Sequence, residues 1–146
     1  MEQNLGWLLA RAAFNWRHTV DFYMEELGLT QSRWIALLHL GRLNEGCSQS
    51  ELASHIGIEQ PSMVRTLQHL EESGLIERRQ CAEDARRRTL WLTEKGRQIL
   101  SDVESMAKKG RQQLLNGLSR EQRQVLHECL NQIIDNAQHS TQAIKK

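Results

Sequence analysis

The chain has 146 residues, 39% of them hydrophobic and 25% charged, with a net charge of +1. That balance suits one globular domain with helical extensions. It gives no general attraction to nucleic acid, so any such attraction must come from a local patch. No run of about eighteen apolar residues occurs, which excludes a spanning helix and any membrane partner. The three cysteines, Cys47, Cys81 and Cys129, are odd in number and form no C-x-x-C, which argues against a disulfide framework or a zinc site and fits a reducing cytosol.

The opening stretch "MEQNLGWLLARAAF" has no basic leader and no small-residue cleavage site after a long apolar core, so it does not read as a signal peptide. Residues 4–26 read as a helix, with Leu5, Leu8, Leu9, Ala12, Ala13, Trp16 and Val20 at helical spacing and Gly28 as its stop. Thr30 is placed to cap a second helix, "QSRWIALLHLGRL". Ser48 and Glu51 form an S-x-x-E capping box for a short third helix that stops at Gly57. Pro61 suits the first residue of a fourth helix, which runs to about Ser73 and closes on Gly74.

Beyond Gly74 the pattern changes. "LIERRQ" and "RTLWLT" are short β-type runs around "CAEDAR" and predict a two-stranded hairpin. Thr93 caps a fifth helix. Ser119 and Gln122 form a second capping box that starts a last helix to about residue 142. Ile99, Val103 and Met106, then Val125, Leu126, Leu130, Ile133 and Ile134, make apolar stripes on these two helices. A long, helical and modestly apolar chain of this kind often completes its core with a second copy. Short helix, turn, helix and hairpin make a winged helix-turn-helix, so the fold class is mainly α, an α+β winged helix.

The charge is unevenly spread. "RRQCAEDARRR" (78–88) holds five arginines against Glu83 and Asp84, a net +3, which leaves −2 for everything else. Arg78 and Arg79 fall on the strands, and Arg86, Arg87 and Arg88 at the tip. On the fourth helix, Met63, Val64, Leu67 and Leu70 gather on one side, while Ser62, Arg65, Thr66 and His69 gather on the other. The second set carries hydroxyls, a guanidinium and an imidazole, the groups that meet phosphates and base edges. It begins at a helix N-terminus, where free N–H groups favour a phosphate. Arginine in a loop beside it suits the minor groove, where negative potential is concentrated, and Asp84 could hold a guanidinium in a fixed fork.

"IEQPSMVRTLQHLEESGLIERRQCAEDARRRTLWLTEKG" resembles the core of the MarR family of bacterial transcription regulators, and within it the SlyA branch. The resemblance covers essentially the whole chain, with Asp84-Ala85-Arg86 as the wing's D-x-R signature. It implies a homodimer built from residues 1–29 and 94–146 around a winged helix-turn-helix over 30–93, binding double-stranded DNA at a pseudo-palindromic operator. It implies that Ser62, Arg65 and Thr66 enter the major groove and that Arg86 reaches the minor groove, oriented by Asp84. Gln60 and Pro61 hold the helix start. His69, Arg78, Arg87 and Arg88 complete the expected contacts. The family commonly takes small aromatic acids in a cleft, for which Arg17 and Trp34 are the candidates. Phe14 and Leu38 stand where the SlyA branch usually has further basic or histidine residues, and His39 faces about 100° away. The expected location is the cytoplasm, at the nucleoid.

Other chemistries find little footing. The six histidines show no metal-ligand spacing, and there is no Gly-rich phosphate loop or Ser/His/Asp set, so no enzyme, cofactor or metal is expected. Cys81, beside the arginines, is the one redox candidate, since nearby cations lower a thiol's pKa. Cys47 and Cys129 are expected to fill apolar space. The rival reading is a winged helix that binds protein rather than DNA. Such modules usually lose the wing arginines and the polar helix face, and this chain keeps both.

Overall fold

The computed structural model describes residues 2–43, 45–57 and 60–145, with the side chains of all but residues 60 and 141–145. The elements run α1 (Leu5–Met24), α2 (Gln31–Arg42), β1 (Cys47–Ser48), α3 (Gln49–Ile56), α4 (Gln60–Glu72), β2 (Ile76–Gln80), β3 (Arg88–Leu92), α5 (Glu94–Leu114) and α6 (Arg120–Lys145). They fall into two compact units, Met1–Arg111 and Gln112–Lys146.

In the first unit α1 closes through a 3-10 turn at Glu25–Leu27. Thr30 stands at the start of α2, but its hydroxyl makes no capping bond. Its carbonyl instead accepts from the N–H groups of Arg33 and Trp34 at 3.1 and 3.0 Å. Ser48 does cap α3, its Oγ accepting from the Glu51 N–H at 3.1 Å. The box is only half made, because the Glu51 carboxylate pairs with Arg87 instead of reaching back.

The end of α4 is set by hydrogen bonds. Gly74 adopts φ +75°, a left-handed conformation that carries little cost for glycine. Its N–H donates to Glu71 O, and the Leu75 N–H donates to Leu70 O, both at 3.0 Å, the paired pattern of a Schellman stop. Thr93 then joins this stop to α5. Its hydroxyl donates to Gly74 O at 2.6 Å and accepts from the Gly96 N–H at 3.0 Å. A Cβ on Gly96 would collide with Leu75 O, so only glycine lets α5 start this close.

The sheet has three strands rather than the two expected. β3 lies in the middle, antiparallel to both neighbours, with Cys47↔Leu90 and Ser48↔Thr89 on one side and Ile76↔Leu92 through Gln80↔Arg88 on the other. A core forms between sheet and helices from Leu37, Leu40, Leu52, Met63, Leu67, Leu70, Ile76, Leu90 and Val103, all buried. Each such side chain contributes about 1.5–3 kcal/mol on burial. Most of α1 takes no part in this core. Only Val20 and Met24 are buried, while Leu5, Trp7, Leu8, Phe14 and Phe22 are at least half exposed.

In the second unit the predicted box at α6 is complete. The Gln122 N–H donates to Ser119 Oγ at 3.1 Å, and Gln122 Oε1 accepts from the Ser119 N–H at 2.9 Å. Arg123 donates to the carbonyls of Leu115 and Leu118, satisfying acceptors in the turn before the helix. Val125, Leu126, Leu130, Ile133 and Ile134 form an exposed apolar stripe along α6. Cys47 fills apolar space as expected, but Cys129 lies exposed on α6.

Candidate nucleic-acid interface

Helix α4 buries Met63, Leu67 and Leu70 in the core and leaves Pro61, Ser62, Arg65 and Gln68 outside. Two positions differ from the helical-wheel expectation. Thr66 turns inward, with 6% of its surface exposed, and its hydroxyl donates to Ser62 O at 3.2 Å. A hydroxyl bonded back to the preceding turn and closed off from solvent is not free to meet a base, so Thr66 leaves the contact set. Val64, expected inside, is 44% exposed. Gln68, overlooked in the sequence, stands on the outer face one turn beyond Arg65, its amide 3.4 Å from Glu72 Oε1. His69 is partly exposed, with Nδ1 3.9 Å from Glu72. Gln60 opens the helix, and its side chain lies outside the described residues.

The five arginines of the hairpin separate into two groups. Three are paired: Arg78 with Glu71 at 3.1 Å, Arg79 with Glu77, and Arg87 with Glu51. Arg79 also stacks on Trp91, with its guanidinium carbon 4.3 Å from the ring centroid. Trp91 is held in turn by its N–H to Thr89 Oγ1 at 2.8 Å. Among the described residues, Arg86 and Arg88 have no ion-pair partner, and neither has Arg65 on α4. Glu83 and Asp84 beside them are exposed.

Asp84 acts on the backbone rather than on a guanidinium. Its Oδ1 accepts the Arg86 N–H at 2.9 Å, and its carbonyl accepts the Arg87 N–H at 3.1 Å. This is an Asx-type turn, and it corrects the expected fork: Asp84 shapes the loop from which Arg86 projects. Gln80 adds a bond to Ala85 O at 3.1 Å, and the Cys81 N–H donates to Arg87 O at 2.9 Å. The tip is therefore an ordered turn that carries Arg86, without an ion-pair partner among the described residues, while Arg88, expected at the tip, is the first residue of β3.

The expected effector site is not assembled. Trp34 is a core residue, 4% exposed, with its indole N–H on Asp21 Oδ1 at 2.9 Å, while Arg17 lies exposed on α1. A cavity of about 210 Å³ occurs elsewhere in the first unit. It is lined by Leu27, Leu29, Leu70, Leu75 and Ile99, with Arg33 and Lys95 beside them. Cys81 is partly buried at the end of β2, and all three cysteines are free thiols. A histidine pair went unnoticed in the sequence: His39 and His55 meet Nδ1 to Nδ1 at 2.9 Å, joining α2 to α3. Among the described residues no group of three or more potential ligands could hold a metal ion. No helix among them is long and apolar enough to cross a membrane.

The comparisons with known proteins agree with this geometry. The MarR family model matches residues 27–87, from before α2 to the wing tip. The transcriptional regulator PA3341 is 36% identical, with a TM-score of 0.86 over 92% of this chain and 98% of that one. The transcriptional repressor CouR, solved bound to a 23-mer DNA duplex, is 31% identical, with a TM-score of 0.81 over 91% of this chain and 94% of that one. The transcriptional regulator SlyA shares the fold at 23% identity and a TM-score of 0.81, over 90% and 92% of the two chains. With a family model laid across its helix-turn-helix and wing, and relatives of this identity over nine-tenths of its length, the chain belongs to the MarR family, whose members are transcriptional regulators and not enzymes.

Proposed function

We propose that the chain is a sequence-specific DNA-binding regulator that reads an inverted-repeat operator as a homodimer. Helix α4 enters the major groove through Ser62, Arg65 and Gln68, and the wing lays Arg86 and Arg88 against the neighbouring backbone or minor groove. The observation that carries this reading is a grouping: Arg65 on α4 and Arg86 and Arg88 on the adjoining hairpin lie on one module, and none of them has an ion-pair partner among the described residues. A fold can pair its charges, as this one does with Arg78, Arg79 and Arg87. Those left bare on one module favour a polyanionic partner. The likeness to a repressor solved on a DNA duplex supports the same partner.

The homodimer is supported by the apolar surface left on α1 and α6 in the single chain. Exposed stripes of that size are uncommon on a monomer and mark an interface. Two-fold symmetry then places the half-sites about one helical turn, roughly 10 base pairs, apart. Control by a small aromatic acid keeps only Arg17 of its two sequence candidates, and the proposed function does not depend on it.

Selection of duplexes from a random pool by the full-length protein tests the reading. An enriched inverted repeat with that spacing supports it, and a pool that stays unenriched at low salt contradicts it.

A further inference from the structure

We propose that Glu51 and Arg87 set the posture of the wing against α3, which makes Arg87 a positioning residue and not a phosphate contact. The inference rests on the DNA-binding reading above. The two residues lie 36 apart in sequence, and the Arg87 guanidinium donates to Glu51 Oε1. Both ends of the contact are prepared. Arg87 is fixed at its backbone, with its N–H on Asp84 O and its carbonyl accepting from Cys81. Glu51 sits in the first turn of α3, where a carboxylate is favoured by the helix dipole. Its backbone N–H is already held by Ser48 Oγ, and its carboxylate is spent on Arg87 and not on the reciprocal half of the capping box.

The topology shows why such a tether matters. β1 covers β3 only at Leu90 and Thr89, so the hairpin beyond Gln80↔Arg88 projects past the sheet's third strand. Among the described residues, Glu51–Arg87 is the one ion pair that ties the loop 81–87 back to a helix. Without it the loop can swing while β2 and β3 stay paired, and Arg86 then no longer faces the groove together with Arg65 and with Arg88, which β3 holds in place. The pair is about half exposed at each partner. A pair in that setting biases the wing's posture by about two- to fivefold and no more.

The test uses full-length protein and the duplex that wild-type protein selects from a random pool. Affinity is measured against salt for wild type, Glu51→Gln, Arg87→Gln and the double variant. Each single substitution is expected to weaken binding about two- to fivefold, with the log–log salt slope unchanged and the double variant no weaker than the weaker single. Glutamine preserves much of either side chain's reach, and the Ser48 cap uses only the Glu51 backbone, so the melting midpoint should stay within about 2 °C of wild type. Three results overturn the assignment. One is tighter binding with a steeper slope in Glu51→Gln, the mark of an Arg87 released onto a phosphate. Another is a slope shallower by about 0.9 per subunit in Arg87→Gln. The third is additive losses in the double variant. A wild-type protein that forms no salt-dependent complex removes the DNA-binding reading itself, a result distinct from these three.

Discussion

Trp34 donates its indole N–H to Asp21 Oδ1 at 2.9 Å, and this bond joins α2 of the winged module to α1. The indole is otherwise core, 4% exposed. Trp34→Phe removes the donor and part of the volume, and is expected to cost about 1–3 kcal/mol. Asp21→Asn keeps an acceptor oxygen and should cost less. Urea denaturation at one fixed protein concentration gives both values. Equal stability of wild type and Trp34→Phe would show that the side chain lines an open site instead.

His39 and His55 lead to a pH dependence. The half-buried His39 imidazole is pushed down to about 4, first by burial and then by the Arg42 guanidinium and by His55. Unfolded, the same ring takes up its proton near pH 6.5. Between about 6.5 and 4 the unfolded chain therefore binds more protons, and stability falls as pH falls through that window. His39→Gln does not titrate and should flatten part of the decline. Urea midpoints at pH 7 and pH 5 check it, and identical declines in both proteins would contradict the assignment.

The stripe on α6 predicts an assembly defect. Ile133 is 48% exposed within the row Val125, Leu126, Leu130, Ile133 and Ile134. A two-fold interface counts each such residue twice. Ile133→Glu is therefore expected to raise the dimer dissociation constant by roughly a hundredfold or more. Light scattering should find the single-chain mass at micromolar concentration with helical content retained. A two-chain mass in the variant would place the interface elsewhere.

How legible all this was depends on the range of the physics involved. The cap at Thr93, the box at Ser119–Gln122 and the stop at Gly74 are local hydrogen-bond chemistry, spelled out within three or four residues, and the structure has them where the sequence puts them. Cys47–Ser48 gave no such signal, because two residues carry no period and the strand exists only through its partner β3. Thr66 sits at the boundary of the helical wheel, where the angle alone does not decide. A hydroxyl that can satisfy itself on Ser62 O tolerates the inside. The division of the wing's arginines into paired and bare was beyond reading from the sequence. It depends on where Glu51 and Glu71 come to lie in three dimensions. The same holds for His39 and His55, which a helical wheel treats one helix at a time.

The central claim is that unpaired cations on α4 and the wing meet phosphates and base edges. Its most direct test is the log–log slope of affinity against salt for Arg86→Ala beside wild type, on the pool-selected duplex. Each neutralised phosphate contributes about −0.9 to that slope. Arg86→Ala is expected to bind more weakly, with a slope shallower by about 0.9 per subunit and an unchanged oligomeric mass. A variant with the affinity and slope of wild type contradicts the account.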